Sequence, residues 1–318
     1  TAGYGEDPYC DQARKLIAGL CGRTDLDIHF LIGGTQTNFT VIAAALRPHQ
    51  CVLCADTGHI NVHESGAVEA CGHKVSAIPS PDGKLTARQI EEAWHAQWDD
   101  ETREHMPQPR MVYISQPTEL GTIYSRKELQ EISGVCRRRG LYLYMDGARL
   151  GYGLCDEDND LDLPAIASLC DAFYIGGTKV GALFGEALVL RHEALKEDFR
   201  YIAKQKGGRL AKGRLLGIQF LELFRDGLYF RLGAHADRLA VMLRDFCRSR
   251  GLSLPFSSGT NQQFVTMPDS VLEELGRKYG FAYLRREDET HSTVRFCMSW
   301  ATREEGVREL MADIARLC

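Results

Sequence analysis

The sequence predicts an α/β protein with a mainly parallel sheet flanked by helices, followed by a smaller α/β unit. Three observations carry this. From Asp27 to about Arg191, short apolar runs alternate with segments of helical pattern. The runs are apolar on both faces, as strands covered by helices must be. After Gly251 the pattern changes to a few strands and two helices. A large domain over residues 1–220 and a small one over 221–318 are expected, with the boundary inside a helical stretch.

The strands expected are Ile28–Ile32, the run Cys51–Ala55, Met111–Ile114, Leu141–Met145, Ala172–Ile175 and Ala187–Leu190, with two more near Gln262–Met267 and Val294–Trp300. Each is short, apolar and rich in β-branched or aromatic residues. Helices are marked by their ends. Ser125–Glu128, Thr86–Gln89 and Thr302–Glu305 have the spacing of capping boxes. Leu129, Ile132, Val135 and Cys136 then share one helical face, and Gly140 ends that helix. In the last helix Val307, Leu310, Met311 and Ile314 form the apolar stripe. Residues 193–250 are almost wholly helical in pattern, with a break at Gly207 and Gly208.

A chain of 318 residues, 44% hydrophobic and 25% charged, has the composition of a globular protein. A net charge of −5 without any run of five like charges argues against a nucleic-acid or polybasic membrane surface. No stretch of about 18 apolar residues is present, so no membrane span is expected. The 11 cysteines are scattered, many within apolar runs, which fits a reducing, cytoplasmic setting. Cys51 and Cys54 lack partners for a zinc set and read as strand core, so no metal is expected. The first methionine is Met106, so a natural start upstream of Thr1 is expected, and any targeting signal would lie there.

In an open parallel sheet, ligands bind beyond the carboxyl ends of the strands. Three polar features fall there. Asp146 follows the strand ending at Met145, Lys179 follows the next strand, and Gly33–Asn38 joins a strand to a helix. Singly, each has a plain reading: a helix cap, a solvated lysine and a tight turn. Gly33–Asn38 matches neither a dinucleotide nor a nucleoside-triphosphate loop.

Together they meet the needs of pyridoxal phosphate. That cofactor requires an amine that can lose its proton in a sheltered cleft, a carboxylate against its ring nitrogen, and a phosphate cup of backbone N–H groups at a helix N-terminus. Lys179, Asp146 and the Gly33–Asn38 loop are the candidates, with hydroxyls from Thr35 and Thr178.

Tyr4–Pro8 (Y-G-E-D-P), Gly33–Asn38, Asp56–Ile60, Asp146–Arg149 (D-G-A-R) and Gly176–Lys179 resemble, in order, the signature segments of the threonine aldolase and β-eliminating lyase family. The likeness covers nearly the whole chain. It implies the aspartate-aminotransferase fold (fold type I), with a seven-stranded large domain, and pyridoxal 5'-phosphate held on Lys179. It further implies that Asp146 meets the ring nitrogen, that His59 stacks on the ring, and that Gly34, Thr35, Gln36 and Thr178 contact the cofactor. Arg149 and Arg295 would hold an α-carboxylate, Glu64 is a matching acid near the substrate, and Lys212 would reach a neighbouring subunit's phosphate in a homodimer or homotetramer. Without the resemblance, His59 reads as a structural histidine.

The family usually has a histidine in a T-H-N segment that helps bind the substrate hydroxyl. Here Ser115–Thr122 stands in its place, with Thr118 at the position assigned to that histidine. Discrimination at the substrate's β-carbon is therefore expected to be loose. The implied reaction is cleavage of threonine or allo-threonine to glycine and acetaldehyde, with His59 or a water it holds as base. The alternatives are another pyridoxal-phosphate reaction (β-elimination, racemisation or transamination) and an inactive binding scaffold.

Overall fold

The computed structural model describes all 318 residues. Seven strands form the main sheet: β1 (Asp27–Leu31), β2 (Gln50–Ala55), β3 (Lys74–Ile78), β4 (Gln108–Ser115), β5 (Tyr142–Asp146), β6 (Ala172–Gly176) and β7 (Glu186–Leu190), in the order β1-β7-β6-β5-β4-β2-β3. A three-stranded sheet follows, with β8 (Gln262–Pro268), β9 (Ala282–Arg286) and β10 (His291–Cys297) in the order β8-β10-β9. Both agree with the α/β reading and with the fold type implied by the resemblance.

The main sheet is parallel except at β7, which runs antiparallel to both β1 and β6. The reversal comes from the nine residues Gly177–Gly185, a loop too short for a crossover helix. Burial of β2, β6 and β7 on both faces explains their unbroken apolar sequences. Cys51 and Cys54 are buried within β2, as core. Two layers of apolar residues cover the sheet; the larger also packs against the helix Leu228–Ser249 and the three-stranded sheet.

Two strands were not legible. β3 is an edge strand whose Lys74, Ser76 and Ala77 are exposed or half-buried, and β9 is an edge of largely exposed residues. Neither carries the buried alternation from which strands are read. Capping boxes form at Thr86 and Ser125 as expected, and Gly140 closes its helix with φ 64°. The box expected at Thr302 does not form. Its hydroxyl accepts the Ser299 N–H at 2.8 Å, and the helix Glu304–Leu317 starts without a side-chain cap. That helix still buries Val307, Leu310 and Ile314, while Met311 is half-buried.

Candidate active site

The carboxyl ends of β1, β4, β5 and β6 and the start of β7 surround one cavity of about 290 Å³. Its wall includes Gly34, Thr35, His59, Asp146, Arg149, Thr178 and Lys179. These residues come from four separate stretches of chain, and the sheet order brings them together.

Asp146 ends β5 with its side chain buried and both oxygens in use. Oδ1 accepts from the Tyr174 hydroxyl at 2.5 Å and the Ala148 N–H at 2.9 Å; Oδ2 accepts from the Tyr113 hydroxyl at 2.6 Å and Asn38 Nδ2 at 2.9 Å. Burial alone would push this carboxyl up, yet the four donors outweigh it and hold Asp146 below the usual carboxylate range. Tyr113, Tyr144 and Tyr174 stand on one face of β4, β5 and β6, and Tyr144 donates to Asn38 Oδ1 at 2.8 Å. The next residue, Gly147, has no room for a side chain: a Cβ there would lie 1.9 Å from the Tyr174 carbonyl oxygen.

Lys179 sits in the loop between β6 and β7, where the Tyr152 hydroxyl donates to its carbonyl. Burial and then the charge of Arg149 hold its amine below the ordinary lysine range, which favours the neutral nucleophile. Gly185 closes the loop with φ 111°, a conformation that glycine adopts without strain. Glu186 follows, in register with Leu31 of β1 and Gly176 of β6, and accepts the Gly177 N–H at 3.0 Å. Burial pushes its carboxyl up to about 8.

His59 opens a short helix after β2, with Nδ1 2.8 Å from Glu64 Oε1. Burial opposes a charge on the ring, but Glu64 and Asp146 overcome it and raise His59 above the ordinary imidazole range. Glu64 is itself buried, and its Oε1 also accepts Asn38 Nδ2 at 2.7 Å.

Two places suit an anion. The helix Gly34–Ala45 begins at Gly33 without a side-chain cap, so its first N–H groups face the cavity unpartnered. Arg149 and Arg295 each bury an Nε without a hydrogen-bond partner. Arg295 Nη1 donates to Gln262 Oε1 at 3.1 Å, and burial together with the Arg149 charge lowers Arg295 below its ordinary range. Two adjacent guanidinium groups with free donors form a receptor for a carboxylate.

Not every candidate reaches the cavity. Gln36 turns from it, accepting the Ile32 N–H at 3.2 Å and donating to the Lys206 carbonyl at 3.1 Å. Lys212 is exposed and lies outside the cavity. Thr118 lines the wall, but its hydroxyl lies 2.6 Å from the Thr122 hydroxyl and accepts the Leu120 N–H at 3.3 Å. The Ser115–Thr122 turn is closed on itself, with Thr118 N–H donating to the Thr122 carbonyl at 2.8 Å. Its neighbour Glu119 lines the cavity as well. Asn38, Tyr113, Tyr174, Glu119 and Glu186 carried no assigned role in the sequence. The one available signal was three tyrosines in strands buried on both faces, where each hydroxyl must find a partner.

Fold and cavity together define the class: a pyridoxal-phosphate enzyme of the aspartate-aminotransferase fold. A family model described as Beta-eliminating lyase matches residues 1–270. The chain belongs to that family. It is 34% identical to a low specificity L-threonine aldolase of Pseudomonas sp. over 98% of this chain and 88% of the relative. A threonine aldolase structure from Leishmania major superposes with a TM-score of 0.96 at 44% identity, covering 99% of this chain and 91% of that one. A Thermus thermophilus aspartate aminotransferase variant, at 15% identity with TM-score 0.70 over 100% and 84% of the two chains, shares the fold.

Proposed function

We propose that the chain is a low-specificity threonine aldolase, cleaving threonine and allo-threonine to glycine and acetaldehyde. The observation that carries this reading is the pair of guanidinium groups of Arg149 and Arg295, each with an unpartnered buried Nε, near a half-buried lysine and a buried carboxylate. An α-amino acid supplies the missing carboxylate, and its amine comes to the position of Lys179.

The residues fit pyridoxal phosphate, which when bound supplies an aldehyde that condenses with amines and a cationic ring that takes up electrons. Lys179 carries it, and its lowered basicity keeps the amine ready to react. Asp146, held below the carboxylate range by its four donors, would offer a charged carboxylate to the ring nitrogen. The free N–H groups of Gly34 and Thr35, with the Thr178 hydroxyl, hold the phosphate. His59, fixed through Glu64, lines the cavity and would stack on the ring. Arg149 and Arg295 would hold the substrate's α-carboxylate and so fix its orientation in the cavity.

Exposed apolar residues support a homo-oligomer. Leu183, four positions beyond Lys179, is 88% exposed, and Tyr201 is 78% exposed. A second copy covers this face, and exposed Lys212 then reaches the neighbouring phosphate. All 11 cysteines are free, which supports a cytoplasmic, reducing setting. The test is to incubate the purified protein with threonine and allo-threonine and measure acetaldehyde with and without added cofactor. Acetaldehyde that depends on the cofactor is expected; a keto acid or ammonia in its place would overturn the reading. Light scattering at assay concentration is expected to show at least a dimer.

A further inference from the structure

The cavity wall holds three acids, Asp146, Glu186 and Glu119, and their surroundings differ. Asp146 is saturated by four donors. Glu186 is tied to the Gly177 N–H beside Thr178, on the side of the phosphate cup. Glu119 sits in the turn after β4, against the start of the His59 helix. The Ser115 hydroxyl and the backbone N–H of His59 both donate to its Oε1, at 2.7 and 2.9 Å. Oε2 carries neither bond. Glu119 is thus an oriented carboxyl, held by one oxygen, with the other uncommitted on the wall of the substrate cavity.

We propose that Glu119 is the catalytic base of this aldolase, its Oε2 receiving the proton of the substrate's β-hydroxyl. The inference rests on the aldolase reading above. In the step, the β-oxygen's O–H bond breaks and its proton passes to Glu119. The pair from that bond forms the aldehyde C=O as the Cα–Cβ bond breaks, and the Cα–Cβ pair stays with Cα. Cα then takes a proton from solvent, Glu119 returns its own to solvent, and no proton is gained or lost overall.

The neighbouring groups are poorer bases. His59 has Nδ1 committed to Glu64 Oε1 at 2.8 Å, so that nitrogen is not free to take the substrate's proton. Burial, with the Asp146 charge, raises the Glu119 carboxyl above the usual range, which makes its carboxylate a stronger base. The Thr118 hydroxyl is engaged within the turn. His63, whose ring centroid is 5.6 Å from that of His59, is exposed and outside the cavity wall.

The test compares two reactions of the loaded enzyme. Cleavage of threonine needs a base at the β-oxygen. Exchange of a glycine α-proton in deuterium oxide, followed by NMR, uses the same lysine, acid and clamp but has no β-hydroxyl. In Glu119→Gln, kcat/KM for both threonine epimers should fall roughly 10²- to 10⁴-fold, the range of a general base. Glycine exchange should change less than about threefold, and cofactor binding by absorbance titration should be unchanged. Glu119→Asp, which keeps the carboxylate, should recover part of the loss. Cleavage within about threefold of the parent, or an equal fall in both reactions, would overturn the proposal and leave the aldolase assignment standing. So would a hundredfold loss in His63→Ala alongside a neutral Glu119→Gln, which assigns the proton to His63. Loss of cofactor binding in both Glu119 variants would make the residue structural and overturn it too. Parent enzyme that exchanges glycine but releases no acetaldehyde would instead defeat the aldolase reading itself.

Discussion

Glu64 and Asp146 share one donor: Asn38 Nδ2 lies 2.7 Å from Glu64 Oε1 and 2.9 Å from Asp146 Oδ2. Asn38 is fully buried, and Tyr144 fixes its orientation through Oδ1. Asp146 and the acid bonded to His59 are therefore linked through a single amide.

Glu64→Gln should lower the His59 pKa. Burial works against a charged ring, and Glu64 is the main opposing influence. Because the folded value is raised, the stability contributed by His59 is fully present below about pH 6.5, its unfolded value, and is lost as pH rises through the folded value. NMR titration of the ring protons in parent and variant checks this. An unchanged midpoint in Glu64→Gln would remove Glu64 as the cause.

Lys179→Ala should abolish covalent attachment of the cofactor and nearly all turnover. Borohydride treatment followed by peptide mass spectrometry locates the attachment. A label on any other lysine in the parent protein would move the site.

Asp237→Asn should stabilise the protein at neutral and alkaline pH. Asp237 is buried with neither carboxylate oxygen hydrogen-bonded, and burial, then the Asp156 charge, pushes it up to about 9. A carboxyl raised in the fold binds its proton more tightly there than in the unfolded chain. Its destabilising influence is therefore absent below about pH 4 and grows as pH rises toward the folded value. The amide cannot ionise, so a gain of at least about 1 kcal/mol near pH 8 is expected. Denaturant midpoints at pH 4 and pH 8 give the difference, and equal gains at both would contradict it.

Gly147→Ala should cost about 3 kcal/mol or fail to fold. The added carbon would meet the Tyr174 carbonyl, which lies on a buried strand and cannot swing aside. Urea unfolding measures the loss, and a change below about 1 kcal/mol would mean that the β5–β6 edge is softer than its packing implies.

The strands buried on both faces were readable because apolar runs between helices have few other solutions, whereas β3 and β9 were hidden by their polar edges. At the site, Lys179 and Asp146 were visible as polar residues placed after strands, and the arginines only through family likeness. The turn after β4 was the hardest part. Thr118 and Glu119 are adjacent and both line the cavity, and which of them keeps a free polar atom depends on how the turn folds, with the Thr118 hydroxyl bonded to Thr122. Nothing in the local pattern decides that. Asn38 was likewise hidden, since its three partners come from positions 64, 144 and 146.

The self-closed turn Ser115–Thr122 also bears on how such enzymes diverge. Its backbone is braced by Thr118 N–H on the Thr122 carbonyl, and it joins the Asp146 platform through Gln116 N–H on the Asp146 carbonyl at 2.8 Å and through Ser115 to Tyr113 at 3.4 Å. The electron-withdrawing machinery thus belongs to one part of the chain and the choice of β-substituent to another. A lineage that keeps Ser115, Gln116 and Glu119 can rewrite the rest of the turn and inherit the platform intact. For engineering, those remaining positions are the cassette to randomise when a different aldehyde is wanted.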